Sequence, residues 1–198
     1  TLQASAFYSE YQNFQTGRFD PNNAVFITDN AGQATQYGVE AQLDHAFNEI
    51  ATLFATYAYN FSEFDDTDDE GNPQEFAGNT FRLSPDHAVS VGLLNEFETG
   101  IGRISIIPTW TWQSEVFFDN DNDLTDAAQD ETQTGYGIVD LRVRWDAPGE
   151  QFYAVVFADN LLDEEYIIDA GNTGDAFGIP TFIAGSPRMV GLRVGASF

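Results

Sequence analysis

Two kinds of residue spacing in this chain could carry chemistry. The first is Asp119-Asn120-Asp121-Asn122-Asp123, where carboxylates at every second position resemble the opening of a calcium loop. The match is incomplete, because Leu124 stands where the tight turn needs Gly and Asp130 stands where a bidentate Glu would close the site. Asp119, Asp121 and Asp123 are therefore candidate divalent-cation ligands within what otherwise reads as a solvated acidic loop. The second is an alternation of Arg with carboxylates: Arg103, Arg142, Arg144 and Arg193 share the parity of Asp140, Asp146, Glu40 and Asp44 on their segments. Such residues either pair with one another or line a basic path for an anion, and pairing is the expectation for charges withdrawn from water. No catalytic set emerges. His45 and His87 are far apart and lack an evident nucleophile, and a phosphate loop is excluded because the chain has no Lys.

Charge narrows the classes further. The 198 residues hold 32 Asp+Glu against 7 Lys+Arg, a net charge of -25, and all the basic residues are Arg. A nucleic-acid partner needs a basic footprint, so that class is excluded. Acidic disorder is excluded by an aromatic content of 15%, with 18 Phe. Cys is absent, which removes disulfides, thiolate metal sites and a Cys nucleophile. The acids gather in 63–75, 115–131 and 163–175, which hold seven, seven and five of them. Loop-parity aromatics accompany them: Phe19, Phe26, Phe76, Phe117, Phe118, Phe177 and Phe182. Phe117, Phe118, Phe177 and Phe182 are candidates for contact with a bulky ligand, while for any one of them packing of loop on loop is the favoured expectation.

The elements that must position these residues are strands. Val139, Leu141, Val143 and Trp145 alternate with Asp140, Arg142, Arg144 and Asp146, and similar period-two patterns recur along the chain. They predict eight strands, at about 2–13, 35–47, 51–63, 80–97, 101–116, 135–146, 151–167 and 187–198. Pro108, inside the fifth, implies a bulge. The connections alternate long (14–34, 64–79, 117–134, 168–186) and short (48–50, 98–100, 147–150). No apolar run of the roughly 18 residues a helical span needs is present. Short turns at one end and long loops at the other are the plan of an outer-membrane barrel. One strand face is apolar and aromatic, including Tyr57, Tyr59, Trp110, Trp112 and Trp145, as expected of a lipid-facing wall with interfacial rings. The fold class expected is all-β: a transmembrane antiparallel up-and-down barrel, or part of one.

Val155-Val156-Phe157-Ala158-Asp159-Asn160-Leu161-Leu162-Asp163-Glu164-Glu165-Tyr166 resembles the penultimate-strand motif of TonB-dependent outer-membrane receptors. Asn160, Leu161, Asp163 and Tyr166 occupy the motif positions. Pro187 and Arg188, followed by alternation through Leu192, Val194 and Ala196 to Phe198, resemble that family's last strand. Tyr37-Gly38-Val39-Glu40 and Leu83-Ser84-Pro85-Asp86-His87 resemble its recurring strand starts. The resemblance implies that residues 1–198 are the C-terminal part, about eight strands, of a plugged barrel of about 22 strands. The plug domain and energy-coupling segment would lie upstream. It implies energy-coupled uptake of a scarce nutrient, with a ferric siderophore as the commonest ligand class, and no enzymatic activity. The implied partners are outer-membrane lipid, the inner-membrane TonB complex and the barrel-assembly machinery, the last reading Phe198, Ala196, Val194 and Leu192. Long loops would be extracellular and the C-terminus periplasmic. No cofactor is expected beyond a divalent cation in the acidic loops. The alternatives are a complete eight-stranded outer-membrane barrel with a structural or adhesin-like role, and a soluble β-protein.

Overall fold

The computed structural model describes residues 1–20, 25–122, 132–149, 151–170, 179 and 181–196. Eight strands form one antiparallel sheet: β1 (Leu2–Asp20), β2 (Val25–Ala46), β3 (Ala51–Phe64), β4 (His87–Thr99), β5 (Gly102–Gln113), β8 (Tyr136–Asp146), β9 (Phe152–Asp159) and β12 (Met189–Ala196). Two small ribbons stand apart at the long-loop end, β6 (Val116–Phe117) with β7 (Thr132–Gln133) and β10 (Ile167–Ala170) with β11 (Phe182–Ala184). The order is up-and-down throughout, and β1 and β12 remain the two outer strands. They do not pair, so the closed eight-stranded barrel does not form among the described residues.

The register carries each face without interruption. Tyr8↔Tyr37, Tyr37↔Phe61, Tyr57↔Val89, Val91↔Trp110, Ile104↔Trp145, Val143↔Val156 and Val156↔Leu192 all lie on the apolar face. That face is not a core. Leu192 and Val194 are 67% and 71% exposed, and Trp110 is 42% exposed. A soluble β-protein would bury this surface, so the apolar face must have another solvent. Among the described residues no helix is long and apolar enough to cross a membrane, which leaves crossing by strands untouched. The sheet is also staggered. The cross-strand row Ala4, Ala41, Tyr57, Val89, Trp112, Gly137 begins near the start of β1, at the short-turn end. It ends one residue into β8, at the long-loop end. Strands so offset are tilted, as barrel geometry requires.

The opposite face is polar and concave, enclosing a hollow of about 830 Å³ against Ser5, Gln42, Thr56, Ser90 and Thr111. Glycines on it are roofed by cross-strand rings: Phe7 over Gly38, Phe54 over Gly92, Phe157 over Gly191 and Tyr153 over Gly195. A glycine paired with an aromatic residue lets the ring lie on the sheet and shield its backbone.

Four sequence expectations need correction. Residues 14–34, expected as a loop, continue as strands paired out to Asp20↔Val25. Phe14, Thr16, Val25, Ile27 and Thr28 favour extended chain. The turn-like Asn13 and Gly32 instead make an irregularity inside the hairpin, with φ of 55° and 92°. β4 starts at His87 rather than 80, because Leu83 is left-handed at φ 54° and Pro85 has no N–H for a ladder. β9 stops at Asp159, since Asn160 is left-handed. Pro108 makes no bulge: the β4–β5 register is the same at Gly92↔Thr109 as at Asn95↔Ile106, and Pro108 pairs with Leu141 of β8.

Candidate functional site

The strand-connecting segments at the long-loop end are built on side-chain clamps. Beyond Ala34, β2 has no β3 partner. Gln74 fills that place. Its amide accepts from the Gln33 N–H and donates to the carbonyls of Gln33 and Asp65, doing what a neighbouring strand would do. Below it Phe64, fully buried, packs with Ala31 and Ala34 and against Phe14, Phe76 and Phe81. The Phe14–Phe64 and Phe14–Phe81 ring centroids are 5.2 and 4.8 Å apart. Within the same connection Asp68 accepts from the N–H groups of Glu70 and Asn72, 2.9 and 2.8 Å away. The Asn72 bonds hold its carboxyl below the usual range.

The acidic run 119–122 serves as a strap. Asn120 Oδ1 accepts from Arg82 N at 3.0 Å, and Asn122 Oδ1 accepts from Thr80 N at 2.7 Å. Asn79 Nδ2 donates to the carbonyls of Asn120 and Asp121 at 2.9 and 2.7 Å. The asparagines between the candidate ligands thus tie the strap to 79–82. Asp119 is exposed at its tip, yet the surrounding protein desolvates it enough to raise its carboxyl above the usual range. Asp121 and Asp169 add to that shift, and Arg82 opposes it. Arg82 bridges to Asp169 at 3.3 Å. Among the described residues no three His, Asp or Glu converge as a metal set, and Asp123 lies outside them.

The Asn160 motif is a corner joining β8, β9 and β12. Asn160 is 3% exposed with φ 50°. Its side chain donates to the carbonyls of Glu164 (2.8 Å) and Ser186 (3.0 Å) and accepts from Glu164 N (2.8 Å). Its own N–H donates to Asp140 Oδ1 at 2.9 Å, while Leu161 N donates to Val139 O at 2.7 Å. Asp163 accepts from Arg188 N at 2.9 Å and bridges its guanidinium at 3.5 Å. Pro187 falls between the two anchored residues Ser186 and Arg188. Tyr166 covers Gly185 and stacks on Tyr136 at 4.5 Å. The Leu83–His87 motif is anchored likewise: Ser84 Oγ accepts from Asn60 Nδ2 at 2.7 Å, and His87 N donates to Ser114 Oγ at 3.1 Å. His87 Nδ1 meets the Tyr57 hydroxyl at 3.0 Å on the apolar face.

Three of the four inner-wall arginines, Arg103, Arg142 and Arg144, are paired, partly with unexpected carboxylates, and Arg193 is on the same face of β12. Arg144 meets Asp146 at 2.5 Å, as the parity implied, and lies over the Tyr153 ring at 4.4 Å. Arg142 takes Asp159 at 3.1 Å and Arg103 takes Glu98 at 2.9 Å. Asp140 is instead engaged by Asn160, Glu40 by the Ser5 hydroxyl and Asp44 by Gln42.

Of the loop aromatics, Phe118 is buried with Val116 and Ala170, so it packs loop on loop. Phe117 is half-buried, its carbonyl accepting from Leu83 N at 2.8 Å. Phe182, on β11, is 63% exposed. Phe177 and the side chains of Phe19 and Phe26 lie outside the described residues. Leu192, Val194 and Ala196 align on the apolar face of β12, and Phe198 lies outside the description. Sequence reasoning missed Gln74, Asn79, Asn120 and Asn122, whose amides bond backbone. The available signal was Asn clustering beside strand ends.

The family described as TonB dependent receptor-like, beta-barrel, matches residues 1–161. No curated protein matches the sequence. Among solved structures, the chain is similar to the ferric yersiniabactin uptake receptor FyuA of Yersinia pestis (TM-score 0.79, 22% identity, 98% of this chain and 27% of that one). It is also similar to the ferric citrate transporter FecA (TM-score 0.72, 18% identity, 98% and 29%) and to the copper transporter OprC (0.70, 17%, 100% and 28%). The chain thus spans between a quarter and a third of the length of these structures, and at such identities they speak to the fold. An open, staggered eight-stranded sheet, apolar outside and polar within, together with that match over most of its length, makes the chain a member of the TonB-dependent receptor β-barrel family.

Proposed function

We propose that the chain is the C-terminal barrel sector of a TonB-dependent outer-membrane receptor that imports a ferric siderophore. The observation that carries the reading is the sheet itself: eight tilted strands with an exposed apolar outer face, a polar concave inner face and two outer strands left to pair elsewhere. In this reading the acidic loops face outside and the short turns and C-terminus face the periplasm. The plug and the segment that engages TonB belong to another part of the receptor. Leu192, Val194, Ala196 and Phe198 present the strand read by the assembly machinery. Phe182, and Phe117 in part, are the described loop aromatics available to a ligand. The test is iron uptake by the host under iron limitation, before and after removal of the receptor. Loss of uptake of a ferric chelate, and its dependence on the proton-motive force, is expected. Uptake unchanged for every chelate supplied would refute the ligand reading.

A further inference from the structure

We propose that the ligand passing this sector carries no net negative charge, being a neutral or cationic metal chelate. The inference rests on the receptor reading above and specifies its substrate class. A wall that passes an anion needs available cations along it. This chain has seven basic residues, and Arg82, Arg103, Arg142, Arg144 and Arg188 are each engaged by a carboxylate. Arg193 lies toward the short-turn end of β12, away from the loops, and the side chain of Arg18 is outside the described residues.

What remains beside the loops is neutral or negative. Thr111, Gln113 and the stacked Tyr136 and Tyr166 line the upper hollow, and Glu40 is the charged residue among the described residues of its wall. Above them stand the described stretches 63–75, 115–122 and 163–170 with 14 Asp and Glu, of which Asp163 and Asp169 are the arginine partners just named. Such a field raises the local concentration of cations and lowers that of anions, changing capture rates by roughly 10- to 1,000-fold at low ionic strength. Paired arginines do not reverse it, because each pair is close to neutral at a distance.

The experiment uses the receptor expressed from its complete reading frame and purified in detergent. Its tryptophan fluorescence is titrated with three probes: a neutral ferric trihydroxamate, an amine-bearing cationic analogue, and trianionic ferric tris(catecholate). The cationic probe should bind roughly tenfold or more tightly than the trianion at low salt, with the ratio shrinking as salt rises. Combining Asp66→Asn, Glu75→Gln, Glu115→Gln and Glu165→Gln should cut that ratio about threefold at low salt. These exposed side chains hold no hydrogen bond or ion pair among the described residues, so the fold should survive. Tightest binding by the trianion, or a ratio indifferent to salt and to the variant, overturns the inference and leaves the receptor reading intact. Binding of none of the three by folded receptor overturns the ferric-chelate reading and this inference with it.

Discussion

The two hairpins at the edges of the sheet reach order by different means. β1 and β2 are 19 and 22 residues long and remain paired almost to their tip. β9 and β12 are 8 residues each, and the chain between them is held by side chains around Asn160. In the first, backbone ladder supplies most of the order, and Phe64 and Gln74 fix only the base. In the second the ladder ends early and a buried amide replaces it. Edge strands are where a sheet is least protected, and the comparison gives two ways to finish one: extend the ladder and pack its base, or stop it and tie the chain down.

Phe64→Ala should have the largest effect. A fully buried ring packed among Ala31, Ala34 and the three rings of Phe14, Phe76 and Phe81 costs on the order of 3–5 kcal/mol when truncated. Hydrogen exchange should rise across β1, β2 and 65–80 while the Asn160 corner stays protected. Equal loss at both edges would mean that the hairpins are one cooperative unit. Asn160→Ala should do the reverse, costing about 3 kcal/mol by stranding the Glu164 and Ser186 backbone groups. Limited proteolysis within 160–188 reads it out, and Asn160→Gly, which keeps the left-handed backbone, should cost somewhat less.

Gln74→Ala should cost about 1–2 kcal/mol and be felt at the Gln33 amide first, by exchange. If that amide stays protected, the clamp is dispensable and the ladder alone holds the hairpin. The smallest effect is on pH. Asp68 has a lowered carboxyl, so the order it gives its turn is complete above the ordinary value of about 3.9 and fades as pH falls through its folded value. Asp119 has a raised carboxyl, so the strap is favoured below about 3.9 and loses that favour as pH rises through its folded value. Amide protection, taken relative to the intrinsic exchange rate at each pH, should therefore fall at Glu70 and Asn72 on acidification while that at Arg82, bonded to Asn120, rises. Parallel trends would remove the contrast.

The wall was legible in the sequence because its signal is periodic. Alternation from Val139 to Asp146 fixes face and strand together, and it held through β8 with the expected parity. The Asn160 motif was visible by resemblance, although only the structure gives its reason, a single side chain bonding Glu164 and Ser186. What stayed hidden has no period. Gln74 reaches 41 residues back to Gln33, and Asn79 reaches 41 and 42 residues forward to the strap. Residues 14–34 misled because Gly17, Asn30 and Gly32 punctuate like a loop, whereas the β1–β2 ladder, resuming at Gln15↔Asn30 beyond the irregularity, absorbs them.

The roofed glycines of the inner wall set a tolerance. Phe7, Phe54, Tyr153 and Phe157 lie flat only because Gly38, Gly92, Gly195 and Gly191 have no side chain beneath them. Any β-carbon at one of those positions would come within 3 Å of its ring and force that ring off the sheet. The clearance over the concave face of this sheet is thus held, like the fit of a piston, by four β-carbons that its inner surface lacks.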